Sequence, residues 1–374
     1  MSLSPLDELR LREALKLAEE AFGRSEPNPR VGCVIGHADG RVLARGATQA
    51  PGQAHAEASA LQAAREAGVD VRGATAWVTL EPCAHHGRTP PCADALVAAG
   101  LARVVAGTRD PFPQVDGRGL ERLRAAGIEV ELAQGELEVA CREINIGFLS
   151  RVQRARPWVR LKVAASLDGR TALPDGTSQW ITGVSARADG HAWRRRAGAV
   201  LTGIGTVLHD DPRLDVRLVP TERQPLRVVI DSALQTPVQA RLLEPPGEVL
   251  VCAAREDPAR AAPLRARGVA LLGLPGEGGR VALEPMLREL ARRGVNELHV
   301  EAGPTLNGSL LREGLVDELL LYVAPMLLGP GREIAWLPAL PALADATRWV
   351  FHEVAPVGPD LRLRLRPAPA PTMR

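Results

Sequence analysis

Between Asp7 and Phe22 apolar residues return at helical spacing (Leu9, Leu11, Ala14, Leu15, Ala18, Ala21) among charged ones, which predicts an amphipathic helix. Glu26-Pro27-Asn28-Pro29 ends it, because two prolines force extended backbone. Val31–Ile35 and Arg41–Ala44 read as strands joined by a hairpin at Ala38-Asp39-Gly40. Helical spacing returns from Ala54 to Ala67, Ala74–Leu80 is a short apolar strand, and another helix opens at Pro90-Pro91-Cys92. A strand at Arg103–Gly107, a helix at Gly119–Ala126 and a strand at Ile128–Leu132 follow. This order predicts a three-layer α/β/α sandwich on a mixed sheet.

Arg151–Arg156 is a basic stretch before Pro157, and it marks a boundary: residues 1–150 form one domain and 151–366 a second. In the second, Trp158–Ala165 reads as a strand and Ser185 as the cap of a helix running to Arg196. Ala199–Gly203, Arg227–Ile230, Val249–Ala253, Val269–Leu272 and Glu297–Val300 are further strands, and Leu319–Val323 and Leu361–Leu365 close the sheet. Strands alternating with helices make this domain α/β as well. Residues 367–374 are rich in Pro and Ala and read as a disordered tail.

Composition narrows the function classes. A chain of 374 residues suits two domains, and 45% hydrophobic residues suffice for two cores, built from Leu, Val and Ala because only 3% are aromatic. The net charge of +2 comes from 46 basic against 44 acidic residues, with the basic ones spread along the chain, which argues against a nucleic-acid partner. Met1–Arg24 is a charged helix without the apolar centre of a signal peptide, and no apolar run reaches the ~20 residues of a membrane span. The expectation is a soluble cytoplasmic protein with reduced thiols, in which Cys33, Cys141 and Cys252 serve as buried small hydrophobes.

Candidate chemistry concentrates between Gln53 and Cys92. His55, Cys83 and Cys92 can give a tetrahedral zinc one nitrogen and two sulfurs, leaving its fourth position open to water. Glu57 follows His55 closely enough to reach that water without binding metal. A histidine, a nearby non-ligand glutamate, a Pro-Cys and a second cysteine form the pattern of zinc deaminases. Here the second cysteine comes after eight residues, Ala84 to Pro91, rather than after two. His55 and Cys92 each fall at a predicted helix start, where partial positive charge favours thiolate and hydroxide. His85 and His86 in the intervening loop are alternative ligands, although a polar loop touching substrate is the simpler role. Such a centre suits hydrolytic removal of an amino group from an amidine-like ring carbon. Glu57 would take a proton from the attacking water and pass it to a ring nitrogen and then to ammonia. Asn28 is either a plain turn asparagine or a polar group offered to a pocket.

In the second half, Thr202-Gly203-Ile204-Gly205-Thr206 and Glu301–Gly308 are glycine-rich turns that follow strands and open helices. Their backbone N–H groups can hold phosphate. Neither is Gly-x-Gly-x-x-Gly, which argues against an ordinary Rossmann site. Each alone is as readily a tight turn, but two on one sheet point to a nucleotide cofactor. Arg194 and Arg217 are candidates for a substrate phosphate, against the alternative of a solvated surface. Lys162 lies in an apolar strand and Glu301 ends another; they form either a buried structural pair or a pair that polarises substrate.

The motifs His55-Ala56-Glu57, Thr79 through Cys92, Ser166-Leu167-Asp168-Gly169-Arg170, Ser178-Gln179-Trp180-Ile181-Thr182, Asp210-Asp211-Pro212 and Val300 through Thr305 run in order over nearly the whole chain. Together they resemble the bifunctional riboflavin-biosynthesis deaminase/reductase family, and the long cysteine spacing looks like that family's own form. The resemblance implies an N-terminal domain similar to cytidine deaminases. It would act on 2,5-diamino-6-(5-phosphoribosylamino)pyrimidin-4(3H)-one, a phosphoribosylaminopyrimidine, and release ammonia. It implies a C-terminal domain similar to dihydrofolate reductase that uses NADPH to reduce the ribosyl group to ribityl, by hydride transfer to C1′ of the ring-opened sugar imine.

Carried over by motif, Zn2+ falls to His55, Cys83 and Cys92, the proton shuttle to Glu57, and a pocket role to Asn28. Cofactor contacts fall to Ala164, Trp180, Thr206, Asp210, Ser232, Gly303, Pro304, Thr305, Leu306, Asn307, Gly308 and Ser309. Substrate contacts fall to Ser178, Arg194, Leu214, Arg217 and Glu301, with Lys162 added as the partner of Glu301. A homodimer through the second domain is the family-level expectation, and NADPH rather than NADH rests on the resemblance. Two rivals are a deaminase fused to a nucleotide-binding domain without redox activity, and a zinc-stabilised RNA-binding module. The intact Glu301–Pro304 and Asp210–Pro212 motifs oppose the first. The open ligand position, Glu57, and the lack of a basic patch and of stacking aromatics oppose the second.

Overall fold

The computed structural model describes residues 3–85 and 90–369. The chain divides into two compact units, Met1–Ala155 and Arg156–Arg374. The division falls later than the expected one after residue 150, because the basic stretch that suggested a linker is the end of a helix.

In the first unit α1 (Pro5–Glu19) starts at Ser4, whose hydroxyl accepts from the N–H of Asp7 while the Asp7 carboxylate accepts from the N–H of Ser4, each at 3.2 Å. This reciprocal box satisfies two backbone donors that a helix start leaves open. There follow β1 (Gly32–Gly36), β2 (Val42–Ala47), α2 (Ala56–Glu66), β3 (Thr75–Val78), α3 (Cys92–Ala98), β4 (Arg103–Ala106), α4 (Arg118–Ala125), β5 (Glu129–Leu132), α5 (Glu136–Ile144) and α6 (Ile146–Arg154). The strand order is β2-β1-β3-β4-β5; β1 is antiparallel to both neighbours, and β3, β4 and β5 are parallel. The central strands β1 and β3 are buried along their whole length, as strands covered on both sides must be, while the edge strands β2 and β5 are more exposed. Cys33, Ile35, Ala76, Val78, Val104 and Ala106 pack with residues of α2, α3, α4 and α6. Val34, Trp77 and Val105 pack with Leu11, Ala14 and Leu137 of α1 and α5.

Helices α5 and α6 were not anticipated from the sequence. Their buried apolar residues Leu137, Cys141, Ile144, Phe148 and Leu149 do recur at helical spacing, interrupted at Asn145. The side chain of Asn145 leaves the helices to bond the backbone of Arg30, accepting at 2.7 Å and donating at 2.9 Å. It thereby fixes the Pro-flanked turn that carries Asn28.

The second unit runs β6 (Trp158–Ser166), β7 (Arg170–Ala172), α7 (Val184–Arg196), β8 (Ala199–Gly203), α8 (Ile204–Asp210), β9 (Leu226–Ile230), β10 (Val249–Ala253), α9 (Pro258–Ala266), β11 (Ala270–Gly273), α10 (Leu283–Arg292), β12 (Glu297–Val300), α11 (Pro304–Arg312), β13 (Glu318–Ala324), β14 (Arg332–Glu333), β15 (Trp349–Val357) and β16 (Asp360–Pro367). Nine strands form one sheet in the order β11-β10-β9-β8-β12-β6-β13-β16-β15; all run parallel except β16, which is antiparallel to both its neighbours. Leu361–Leu365 therefore does not end the sheet, because β15 pairs outside it. Pro367 pairs with Trp349, and the N–H of Ala368 donates to Arg348 at 2.9 Å, so the segment expected as a tail from residue 367 begins inside a strand. Residues 370–374 of that segment lie outside the described residues. Ser185 does not cap α7 either; Gly183 does, and its N–H donates to Asp360 at 2.8 Å.

The two faces of this sheet differ. Val159, Leu161, Val163, Ala165, Leu298 and Val300 form a dry core with Met286, Leu287 and Leu290 of α10 and Leu310 of α11. The alternate residues of the same strands are charged. Arg160, fully buried, donates to Glu297 at 2.8 Å and to Glu318 at 2.6 Å, both also fully buried. Arg364 and Arg366 reach Glu318 from β16, and the guanidinium carbon of Arg160 lies 4.3 Å from the ring centre of Trp193 on α7. Buried ions hold only when paired with opposite charge; here Arg160 Nη2 alone has no hydrogen-bond partner. Among the described residues, no helix is long and apolar enough to cross a membrane.

Candidate functional sites

The first site is built where two helix starts meet a strand end. His55 is the N-cap residue of α2, Cys92 is the first residue of α3, and Cys83 lies in the loop after β3. Gly46 allows this closeness. A Cβ there would sit 2.3 Å from the Ala56 carbonyl and 2.4 Å from the Ala60 nitrogen, so β2 and the first turn of α2 touch backbone to backbone.

His55 Nδ1 lies 3.6 Å from Cys83 Sγ and 3.5 Å from Cys92 Sγ, and the three ligand atoms all fall within 4.8 Å of one another. The N–H of Cys92 donates to Cys83 Sγ at 3.2 Å. The Cys92 thiol and His55 hold the Cys83 thiol down to about 4, while the Cys83 sulfur and burial drive Cys92 up. One imidazole nitrogen and two clustered sulfurs, one readily ionised, are a donor set suited to zinc. His85 is not part of this group; its ring packs against Phe112 at 5.6 Å between centroids. His86 lies outside the described residues.

Glu57 is buried in the first turn of α2, and burial together with the Cys83 charge pushes its carboxyl up to about 7. Asn28 is half-buried in its turn, its N–H bonded to the Ser25 carbonyl at 2.8 Å. Glu81, which the sequence shows only as part of a motif, is the buried anchor of the following loop. Its carboxylate accepts from the N–H groups of Gly117 and Gly119 at 3.0 Å and of Asp110 at 3.2 Å.

The second site is a cavity of about 2030 Å³ in the second unit. It opens at the C-terminal ends of parallel strands, where ligands of open α/β sheets bind. Lys162 and Ala164 line it from β6, Ser178 and Trp180 from the loop before α7, and Arg194 from α7 itself. Thr206 and Asp210 line it from α8, Leu214 and Arg217 from the next loop, and Ser232 from the end of β9. Glu301, Gly303, Pro304, Thr305, Leu306 and Ser309 complete it at β12 and the start of α11. Asn307 and Gly308, expected as cofactor contacts, are not among its lining residues. Asn307 donates to the Ile334 carbonyl at 2.8 Å, and a Cβ on Gly308 would sit 2.1 Å from the Trp336 carbonyl, because this side of α11 packs on the chain beyond β14.

Glu301 is the electrostatic centre of the cavity. Arg194 donates to both its oxygens, the Nη2 bond at 2.9 Å, and Lys162 Nζ stands 4.0 Å away. Burial alone would raise this carboxyl, but Arg194 and Lys162 outweigh it and hold the group well below the carboxylate range. Burial lowers Lys162, opposed by Glu301 and helped by Arg194. Arg194 also donates to the Asp215 carbonyl at 2.8 Å, and Arg217 pairs with the Asp215 carboxylate at 2.6 Å. His191 accepts from the N–H of Arg217 at 3.1 Å, and burial with Arg194 and Arg217 brings it down to about 4, so it is neutral. The sequence reading missed His191, Asp215, His299 and Tyr322. The signal for His299 was present: Glu297, His299 and Glu301 alternate with Leu298 and Val300, which marks a polar strand face.

Comparison with known proteins assigns each unit to a family. Residues 5–108 match the cytidine and deoxycytidylate deaminase zinc-binding region, and residues 157–363 match the RibD C-terminal domain. The chain is 47% identical over 372 residues to the riboflavin biosynthesis protein RibD of Escherichia coli, covering 96% of this chain and 99% of that protein. It is similar to a solved structure of Acinetobacter baumannii RibD, with a TM-score of 0.86 and 40% identity over 97% of this chain and 99% of that one. A diaminohydroxyphosphoribosylaminopyrimidine deaminase/5-amino-6-(5-phosphoribosylamino)uracil reductase from Thermotoga maritima gives a TM-score of 0.85 and 34% identity over 97% of this chain and 99% of that one.

Proposed function

The chain belongs to the riboflavin-biosynthesis deaminase/reductase family, and from that premise we propose how its two sites divide the work. It is a bifunctional enzyme, with a zinc-binding deaminase domain of the cytidine-deaminase type followed by a reductase domain with a dihydrofolate-reductase-like fold. The substrate of the first site is 2,5-diamino-6-(5-phosphoribosylamino)pyrimidin-4(3H)-one, and the second site reduces the deaminated 5-amino-6-(5-phosphoribosylamino)uracil to its ribitylamino product. The observation that carries this reading is the His55–Cys83–Cys92 trio beside a buried, non-ligating Glu57.

His55 Nδ1 and the two cysteine sulfurs would hold the metal, and zinc supplies the Lewis acidity that makes a neighbouring water a nucleophile at neutral pH. Glu57 removes the proton from that water on a carboxylate oxygen, gives it to the pyrimidine ring nitrogen, and then serves the departing ammonia. Its burial excludes bulk water, so the proton stays between enzyme and substrate. Asn28, fixed through Asn145, offers its amide to the pyrimidine.

In the second site NADPH, when bound, supplies the hydride. Thr206 and the first turn of α11, Gly303 to Leu306, present N–H and hydroxyl groups to its phosphates. Trp180, Asp210 and Ser232 line the rest of its course. Arg194 and Arg217 receive the substrate's 5′-phosphate, with Ser178 and Leu214 beside it. Glu301 orients the opened sugar, and Lys162 gives the imine nitrogen its proton. A homodimer through the second unit belongs to the same reading; it is supported by Val350, Phe351 and Val354, large apolar side chains left exposed on the outermost strand β15.

The test is to supply the diaminopyrimidinone ribotide and NADPH together and follow ammonia release and NADPH oxidation. Both signals, ammonia first, are expected. Ammonia without oxidation would sink the reductase assignment and favour a nucleotide-binding domain without redox activity.

A further inference from the structure

His299 sits on β12 between two layers of charge. Below it lies the buried Arg160 with Glu297 and Glu318, and above it Glu301 with Arg194 and Lys162. Its register partners are Arg160 on β6 and Val200 on β8. The ring is fully buried, yet neither nitrogen makes a hydrogen bond. Buried polar groups without partners are rare, because stripping their water is costly, and each calls for a physical reason.

One is close at hand. His299 Nε2 lies 3.3 Å from Glu301 Oε1, within hydrogen-bonding distance but without the alignment of a hydrogen bond. Both Glu301 oxygens are instead turned to Arg194. The Nε and Nη2 hydrogens of Arg194 that serve Glu301 form one edge of the guanidinium, a fork that matches phosphate as well as carboxylate. An anion entering the cavity competes for that edge. Any turn of Arg194 toward it leaves the Glu301 charge with a weaker clamp in a buried site, and a small rotation of the carboxylate then aligns it with His299.

We propose that His299 is a positioning residue of the reductase site: its Nε2–H takes up the Glu301 carboxylate as Arg194 turns to the substrate phosphate. The inference rests on the reading of Arg194 and Glu301 as substrate contacts. It explains why a ring with an N–H to give, rather than a leucine, stands behind the carboxylate. It also assigns a task to a group that neither the hydride nor the proton transfer uses.

The test uses the full-length protein loaded with zinc, pre-deaminated ribotide and NADPH. His299→Leu and His299→Met both keep the bulk and remove the donor, whereas His299→Gln keeps an N–H. Loss of one hydrogen bond to a charged group corresponds to about tenfold. Leu and Met are therefore expected to lower kcat/KM for reduction by about that factor, with Gln restoring most of it. Ammonia release from the diaminopyrimidinone ribotide, measured in a parallel assay, and the thermal midpoint, both expected to be unchanged, report an intact chain. Reduction by the Leu and Met variants within about twofold of the parent would overturn the proposal. So would an equal loss in the Gln variant accompanied by a lower midpoint, which would make the ring a core filler only. An Arg194→Gln variant whose KM for the ribotide is unchanged would instead overturn the underlying reading of Arg194, and the exchange with it.

Discussion

Glu57 shows how much a single residue's role depends on its surroundings. It occupies the first turn of α2, where acidic residues are common because they favour the helix dipole. A solvated glutamate there would need no further explanation. This one is buried beside two cysteine sulfurs and a histidine, without being one of the three ligands. Replacing it by alanine should keep the zinc content and lower ammonia release by a factor of about a hundred or more, the usual contribution of a positioned acid–base group. Reduction of pre-deaminated substrate should continue. Metal analysis together with an ammonia assay decides it, and ammonia released at a comparable rate would remove Glu57 from the mechanism. Asn145 and Glu81 make the complementary point. Neither carries a chemical signature, yet each spans long sequence distances, to Arg30 and to Gly119, to hold a loop beside the site.

At the scale of elements, a buried carboxylate adds to the apolar packing of α1 on the first sheet. Asp7 accepts from Trp77 Nε1 at 2.7 Å, from Arg103 Nη1 at 2.7 Å and from the Ser4 hydroxyl at 2.6 Å. Burial opposes its charge, but Arg103, Ser4 and Trp77 prevail and hold the carboxyl below its ordinary range. A depressed carboxylate stabilises the fold above its unfolded pKa of about 4 and loses that contribution as pH falls below it. Asp7→Asn should cost about 3 kcal/mol at neutral pH, the lower end of the range for breaking a buried pair, because Arg103 is partly exposed. The difference from the parent should shrink as pH is lowered toward about 3, which urea unfolding at the two pH values measures. A constant difference would mean that packing, rather than charge, pins α1. The sheet of the second unit carries the same lesson in reverse: alternation in β6 and β12 marks two faces, but which face meets α7 and which meets α10 follows only from how the strands are ordered.

For the whole molecule, each unit has its own cores and its own candidate site, and the proposed zinc ligands His55, Cys83 and Cys92 all lie in the first. Removing metal with a chelator should therefore stop ammonia release while NADPH oxidation with pre-deaminated substrate stays within about twofold, and added zinc should restore the first activity. Loss of both activities on chelation would show that the reductase site also depends on the metal. Two sites in one chain keep the two units in fixed one-to-one amounts.

Local signals determined a good deal of this protein. Helical and alternating periodicity, prolines and glycines gave most strands and helices of both units, since these depend on near neighbours. The order of His55, Cys83 and Cys92, with Glu57 beside the first, pointed to zinc chemistry, because zinc asks for particular donor atoms whatever the fold, and the fold brings those three side chains together. Packing decided the rest. Helices α5 and α6, and strand β15 outside β16, owe their places to surfaces that form only when the chain closes on itself. The direction in which Asn307 and Gly308 point depends on which part of the chain packs on α11. The charged layer from Arg160 to Glu301 exists because strands distant in sequence, β12, β6, β13 and β16, bring their alternate residues to one buried face, where each ion survives only through partners supplied by the others.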